Sequence, residues 1–241
     1  TTMFLEGVFK ITSRHFRKNI TPTLIKVIGL AVSISAVIII WSYVVNENKH
    51  DKDIPGSDRV YRLETNWASM PPFLGHVLNL ESTNQTISTR LNFWNDIGVQ
   101  IGNTPYNLKD LTFADSTFFK VFPLKIISGE PEKALIQPFS IVLSETIAKR
   151  LFGSIDAVGK TVRYENQYDF TVTAIIRDQP YLHFKAEAIA SMVSLEQIRY
   201  KGILKEYDGW SYPTFMLFPD GIRKEESEKI VMEMLKKVGY K

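Results

Sequence analysis

The segment GSIDAVGKT, from Gly153 to Thr161, has the residue types of a phosphate-binding loop. Such a loop needs four residues between its first glycine and its Gly-Lys pair, and five intervene here. The order of elements is also reversed, because a phosphate loop follows a strand and opens a helix, whereas this segment follows a predicted helix and opens a predicted strand. We therefore expect no nucleotide-binding site at this loop.

Histidines are the other side chains that could carry catalytic or metal chemistry. They lie far apart in the sequence, without paired carboxylates at ligand spacing, and are His15, His50, His76 and His183. Ser144 and Glu145 do not form a nucleophile elbow, and the chain has no cysteine. We predict no catalytic, metal-binding or cofactor-binding residue, no cofactor and no enzymatic activity. The small net charge of +3 is scattered, which argues against a nucleic-acid partner.

The elements that would position any site begin with an uncharged stretch from Val27 to Val45. As a helix it would be about 29 Å long, which matches the hydrocarbon core of a bilayer. A buried core helix and a cleaved signal peptide are the alternatives, but core helices rarely run this long without a polar face, and no small-residue cleavage site follows Trp41. We predict one transmembrane helix over residues 23–46.

Charge around this span predicts its orientation. Basic residues precede it at Lys10, Arg14, Arg17, Lys18 and Lys26, whereas the lysines that follow alternate with acidic residues. We expect a cytoplasmic N-terminus. Residues 1–22 are predicted to form a basic amphipathic helix in the headgroup layer, or alternatively a helix packed against a protein neighbour. Thr21 is expected to cap the following span, with Pro22 in its first turn.

After an exit linker over residues 47–58, residues 59–241 are predicted to form a mixed α/β domain, possibly of two subdomains. In its first half we expect a strand from Arg59 to Asn66, a helix opened by Pro71 and Pro72 and running to about Leu80, and a polar connection from Ser82 to Ser88. A hairpin between Ile97 and Ala114 with a separate strand at LTFA follows, and then a short helix to Val121 capped by Asp115 or Ser116.

The second half of the domain continues with alternating strands and helices. We expect strands at PLKIISG and FSIVLS, a helix from Glu145 to Phe152 capped by Ser144, a hairpin of KTVRYE and YDFTVTAIIR with one wet face, a strand at SYPTFMLF, and a helix from Lys224 to Val238 with Ile230, Val231, Met234, Leu235 and Val238 inward.

Four stretches in this order resemble the permease subunits of MacB- and FtsX-type ABC transporters, particularly the forms common in Bacteroidetes. They are FKITSRHFRKN, IKVIGLAVSIS, NENKHDKDIPGSDRVYRLE and SIVLSETIAKRLFGSIDAVGKTVRYENQYDFTVTAIIRD. The last is similar to a MacB-like periplasmic core, with its LSE, LFG and GK elements before a hairpin that ends in a V-x-G-I pattern. Ala174 stands in place of the usual glycine of that pattern.

The resemblance implies an α+β fold and an N-terminal portion of a permease in the bacterial inner membrane, with the main domain in the periplasm. It implies a partner ABC ATPase, a second permease copy, and an envelope substrate such as a lipoprotein, peptide or drug. Family members carry three further spans, so we expect this sequence to be part of a longer permease. The alternative is a single-span, membrane-anchored envelope interaction or assembly module. The permease requires three downstream membrane spans, whereas the single-span module requires the gene to end near Lys241.

Overall fold

The computed structural model describes residues 20–47, 55–64, 70–80, 86–179, 184, 186–206 and 211–237. The chain divides into two compact units, Thr1–His50 and Asp51–Lys241. Of the expected features, the amphipathic segment before Ile20, most of the exit linker and Val238 lie outside the described residues. The boundaries of the predicted domains therefore stay predictions.

The first unit contains helix α1, Ile20–Glu47, of 28 residues. Its long apolar side chains are exposed, and its hydroxyls are satisfied internally: Ser33 Oγ donates to the Gly29 carbonyl and Ser35 Oγ to the Ala31 carbonyl, each at 2.8 Å. The prediction that Thr21 caps this helix is wrong, because the helix already includes Ile20. Pro22 is still tolerated in α1, since the N–H groups of the first helical turn have no intrahelical partner.

The second unit is a mixed α/β domain of nine described strands. In chain order they are β1 (Val60–Leu63), β2 (Ile87–Ile101), β3 (Thr104–Ala114), β4 (Ile126–Gly129), β5 (Ser140–Ser144), β6 (Thr161–Tyr164), β7 (Tyr168–Ile176), β8 (Ala188–Ser191) and β9 (Thr214–Leu217).

The helices of this unit lie between and after the strands. They are α2 (Pro72–Leu80), α3 (Phe118–Val121), α4 (Glu145–Phe152), α5 (Leu195–Ile198) and α6 (Lys224–Lys237), with single 3₁₀ turns at Ser57–Arg59, Met192–Ser194 and Ile203–Lys205. Ser144 Oγ caps α4 by accepting from the Ile147 N–H, and Gly153 ends it at φ 72°, as the sequence predicts. With α1, these elements confirm the predicted fold class.

Six strands pair in a closed ring. Starting at β2, the order is β3, β8, β5, β7 and β6, and β6 returns to β2 through Tyr164 opposite Val99. Each of these strands has partners on both edges over at least part of its length, while among the described strands residues 104–109 of β3 pair with β2 alone. The apolar cluster that these strands share includes Leu108, Phe113 and Phe170, together with Ile147 of α4.

The hairpin of β2 and β3 extends further than the sequence predicts. Ile87 and Ser88 belong to β2, so the expected polar connection ends earlier, and LTFA is the end of β3 rather than a separate strand. Strand β8 was not expected at all, although it lies between β3 and β5 with all four residues buried. Four small or apolar residues carry too short a pattern to distinguish a strand from a loop.

The predictions for β7 and α6 hold in part. The wet face of β7 ends at Thr173, where the register between β5 and β7 shifts by one residue. Beyond the shift both faces are buried: Ile175 lies in the core cluster of Phe170, and Ala174 and Ile176 lie in a second cluster, against which Ile126 of β4 packs. In α6, Met234 and Leu235 are buried, while Ile230 and Val231 are only half-buried.

Of the three remaining described strands, β4 pairs with β7, and the other two attach to the ring through the first residues of β2. Strand β9 pairs with β2 from Ile87 to Arg90 and with β1 on its other edge, and α2 and α6 pack against this extension. At Arg90 the pairing with β9 ends, and at Leu91 the pairing with β3 begins. Arg90 therefore lies at the junction between the ring and its extension.

Arg90 is buried and makes an ion pair at this junction. Its Nη2 lies 2.6 Å from Asp115 Oδ1 and its Nε 2.9 Å from Oδ2, with side-chain exposures of 6% and 12% for Arg90 and Asp115. Its Nη1 donates to the carbonyls of Pro72, at 2.6 Å, and Leu204, at 3.2 Å. One side chain thus connects β2, the residue after β3, the start of α2 and the 3₁₀ turn at Ile203–Lys205.

This use of Asp115 corrects the expected helix cap. Neither Asp115 nor Ser116 caps α3; the residue before that helix is Thr117, whose side chain makes no capping bond. The Asp115 carboxylate instead accepts from the Arg90 guanidinium and from the Arg90 backbone N–H, at 2.8 Å. A buried guanidinium without a carboxylate would be far more costly than an uncapped helix of one turn.

We expect Asp115→Ala to lower the free energy of unfolding by about 3–5 kcal/mol, because it leaves the buried Arg90 charge unpaired. Asp169→Ala is the matched control. It breaks a similar two-bond pair with Arg163, but those side chains are 50% and 49% exposed, and we expect no resolved shift of the unfolding midpoint. Urea unfolding of the chain in nonionic detergent, followed by circular dichroism, measures both. Equal shifts for the two variants would contradict the assigned role of the junction.

Gly75→Ala tests how closely α2 packs on Arg90. Replacing a glycine inside a helix by alanine usually stabilises the protein by about 1 kcal/mol. Here the new Cβ would overlap Arg90 Cγ and Cδ, which the four guanidinium hydrogen bonds hold in place, so we expect destabilisation instead. A double-mutant cycle with Arg90→Ala should show a coupling of more than about 1 kcal/mol. Additive effects would show that the overlap relaxes elsewhere.

Candidate functional site

The loop that resembles a phosphate-binding sequence connects α4 to β6. Its backbone N–H groups donate to protein carbonyls: Gly159 to Val172 at 2.7 Å, Lys160 to Ala157 at 3.0 Å and Ala157 to Ile155 at 2.9 Å. Lys160 Nζ lies 5.2 Å from the centre of the Phe152 ring. The Gly159 N–H thus fastens the loop to β7, and the other two donors are used within the loop, so these groups do not form the outward-facing cradle that holds a phosphate.

The histidines give no metal geometry. His15, His50 and His183 lie outside the described residues, and His76 falls in α2 where its side chain is not described. Within the described ranges, no group of three or more histidine, aspartate or glutamate side chains could hold a metal ion. The absence of catalytic, metal and cofactor residues stays a prediction from the sequence.

An apolar groove of about 630 Å³ lies between β1 and α6. Tyr61, Leu63, Phe218, Val231 and Leu235 contribute to its walls. Charged side chains line it as well, namely Arg62, Glu64, Lys224, Glu228 and Lys236. The groove belongs to the extension beside the ring.

A second cleft, of about 390 Å³, lies where the 3₁₀ turn at Ile203–Lys205 and α5 meet β2. Trp94 forms one wall, and its Nε1 donates to Asn92 Oδ1 at 2.6 Å. Asn92 Nδ2 in turn donates to the Ser211 carbonyl at 3.1 Å. The Arg199 guanidinium carbon lies 4.6 Å from the centre of the Trp94 ring. The indole is therefore held from its edge and covered on one face by a cation.

Hydroxyl groups and one carboxylate line the rest of this cleft. Tyr200 Oη donates to Glu206 Oε1 at 2.7 Å, and this bond raises the pKa of Tyr200 above its ordinary value. Tyr212 exposes only 5% of its surface, and desolvation raises the pKa of its hydroxyl. We call the site lined by Trp94, Arg199, Tyr200, Glu206 and Tyr212 the Trp94 cleft.

Sequence reasoning did not find the Trp94 cleft. Its members come from β2 and from the segment after α5, more than a hundred positions later in the chain. They have no shared spacing, and each is an ordinary surface or core residue in its own element. Two strand pairings place them together: β3 with β8, which precedes α5, and β2 with β9, which follows Tyr212.

The family comparison matches most of the chain. The model of the MacB-like periplasmic core domain matches residues 23–224. That range includes most of α1 and the whole ring. Among curated proteins, none matches the sequence significantly.

Two solved structures share the fold. A domain of a permease protein from Porphyromonas gingivalis has a TM-score of 0.64 at 19% identity, covering 77% of this chain and 86% of its own. The periplasmic region of MacB from Actinobacillus actinomycetemcomitans has a TM-score of 0.53 at 18% identity, covering 74% of this chain and 82% of its own. At these identities the likeness shows the fold alone.

The sequence resemblance is thereby confirmed, together with the architecture that it implied. An apolar helix long enough to cross a membrane precedes the ring domain, and the family match runs through both. The chain belongs to the family of MacB-like periplasmic core domains of ABC transporter permeases.

Proposed function

We propose that this chain is the N-terminal portion of a permease subunit that couples ATP hydrolysis by a partner ATPase to movement of its periplasmic domain. The observation that carries the proposal is α1 in combination with the family match. The candidate span Ile20–Val45 has a mean hydropathy of 2.5 over its most apolar 18 residues, and none of that window is buried. Such a surface needs lipid or other membrane helices around it.

The second unit has the features of a body that moves as a whole. Its six strands pair in a closed ring, and the Arg90 junction fastens the extension to it by four guanidinium hydrogen bonds. A displacement applied at one end of such a body reaches the other end without unfolding a strand, since packed cores have low compressibility. In this proposal the chemistry takes place in the ATPase, and the chain itself catalyses no reaction.

The proposal places the chain in the bacterial inner membrane as part of a dimer of permease copies. The N-terminus lies in the cytoplasm, because the basic residues before α1 outnumber those that follow. The ring domain then lies in the periplasm and acts on an envelope substrate such as a lipoprotein, a peptide or a drug.

The absence of cysteines allows a direct test of this orientation. We expect Asn103→Cys, in the exposed turn of the β2–β3 hairpin, to react with a sulfonated, membrane-impermeant maleimide in intact cells. Ser13→Cys is the control and should react only after lysis. The measurement is the mass shift of the purified chain. If only the Ser13→Cys variant were labelled in intact cells, the chain would have the opposite orientation to the one proposed.

Affinity purification of the full-length protein from its native membrane tests the coupling to an ATPase. We expect an ATPase with a complete phosphate-binding loop to be recovered with it, identified by mass spectrometry. The control is the same purification carried out on material that contains no detergent-solubilised membrane. Repeated recovery of an envelope partner without any ATPase would overturn the proposal in favour of a single-span interaction module.

A further inference from the structure

The Trp94 cleft contains two opposite charges that are not paired with each other. Among the described residues that line it, the charged ones are Arg199 and Glu206, and no ion pair within 4.0 Å joins them. Within the described part of the chain, the Arg199 guanidinium has its contact with the Trp94 ring and no hydrogen-bond acceptor. A guanidinium presents five N–H donors in a planar fork, so its donors are available to a ligand.

Stacking on Trp94 restricts where that fork can point. The indole itself is held by two neighbours, because its Nε1 donates to Asn92 and its ring packs on Phe113, with the two ring centres 4.8 Å apart. The cation above it therefore has a defined platform. A pre-positioned guanidinium loses less side-chain entropy on binding a carboxylate than a free one does.

Tyr212 adds a hydrogen-bond donor to the cleft. Its side chain is 5% exposed and lines the cleft, and its hydroxyl makes no hydrogen bond to a described residue. The hydroxyl is not one of the fully buried, unpaired polar atoms of the described residues, which are those of Thr86, Thr89 and Thr112, so it is open to the cleft. A phenol is protonated at neutral pH, and burial raises the pKa of Tyr212 further, so this group can donate a hydrogen bond to an anion.

The charges and apolar walls of the Trp94 cleft favour some classes of anionic ligand over others. A doubly charged phosphate would meet one cation and one carboxylate, so the repulsion from Glu206 would offset much of its attraction to Arg199. A single carboxylate meets Arg199 and the Tyr212 hydroxyl, while an N–H group beside it can donate to Glu206. Trp94 and Pro72 add apolar surface for a neighbouring side chain. Adjacent N–H, carboxylate and apolar groups occur together in a polypeptide.

We propose that the Trp94 cleft binds a polypeptide segment through a carboxylate, which pairs with Arg199 while a backbone N–H of the same segment donates to Glu206. The carboxylate can come from an acidic side chain or from a chain end. This inference deepens the proposed function, on which it rests for the periplasmic location of the cleft and the existence of an envelope partner, and it identifies that partner as a protein or peptide.

Isothermal titration calorimetry on the full chain in nonionic detergent tests the cleft without any ATPase. The probes are three tetrapeptides: a doubly blocked alanine-phenylalanine-glutamate-alanine, its glutamine analogue, and the glutamine analogue with a free C-terminal carboxylate. We expect one of the two carboxylate peptides to bind about tenfold more tightly than the neutral one, because a charge-assisted pair to arginine is lost in the latter. Which carboxylate binds distinguishes the side-chain source from the chain-end source.

Arg199→Ala should remove this preference. Arg177→Ala is the matched control, because it deletes an exposed arginine outside the cleft and should leave the preference unchanged. Circular dichroism of both variants checks that the fold is kept, and Tyr212→Phe gives a second variant that removes only a hydroxyl and should weaken carboxylate binding about threefold or more.

Three outcomes would overturn the inference. They are equal affinity for the charged and neutral peptides, a carboxylate preference that survives Arg199→Ala, and tighter Arg199-dependent binding of glycerol 3-phosphate, which would assign the cleft to lipid headgroups instead. Failure of these titrations is distinguishable from failure of the proposed function, because recovery of an ATPase from the membrane does not depend on the Trp94 cleft.

Discussion

The ion pair of Arg90 and Asp115 is the interaction on which the arrangement of the mixed α/β domain depends. A guanidinium that is 6% exposed must satisfy its donors inside the protein, and it does so with one carboxylate and two backbone carbonyls. These acceptors belong to separate segments that meet only in the folded domain. The cost of an unpaired buried charge therefore selects the one arrangement in which the ring, α2 and the turn at Ile203–Lys205 come together.

The same arrangement forms the Trp94 cleft. The Leu204 carbonyl, which Arg90 holds, lies in the turn between Arg199 and Glu206, and Pro72, whose carbonyl Arg90 also holds, lines the cleft. The polar residues of the cleft are thus supported from beneath by a buried charge on β2. A cleft supported in this way is positioned by the fold rather than by its own loop.

Much of the domain could be predicted because its patterns are local. The alternation in the first half of β7, the Ser144 cap and the Gly153 stop of α4 each follow from neighbouring residues and appear where expected. Strand β8 could not be predicted, since AIAS shows no alternation and its burial depends on β3 and β5. The cap assigned to Asp115 failed for the same reason: a long-range partner outweighed a local hydrogen bond.

The sequence by itself determined the membrane span, the α+β class, the order of most elements and the family, because these depend on hydropathy, periodicity and contiguous motifs. The tertiary structure alone decided the closed ring, the Arg90 junction and the Trp94 cleft. Each of these joins residues that are distant in the chain, such as Trp94 and Arg199, and strand pairing brings them into contact. Spacing along a sequence carries no record of such pairing, so the chemistry of the cleft becomes visible only after the chain has folded.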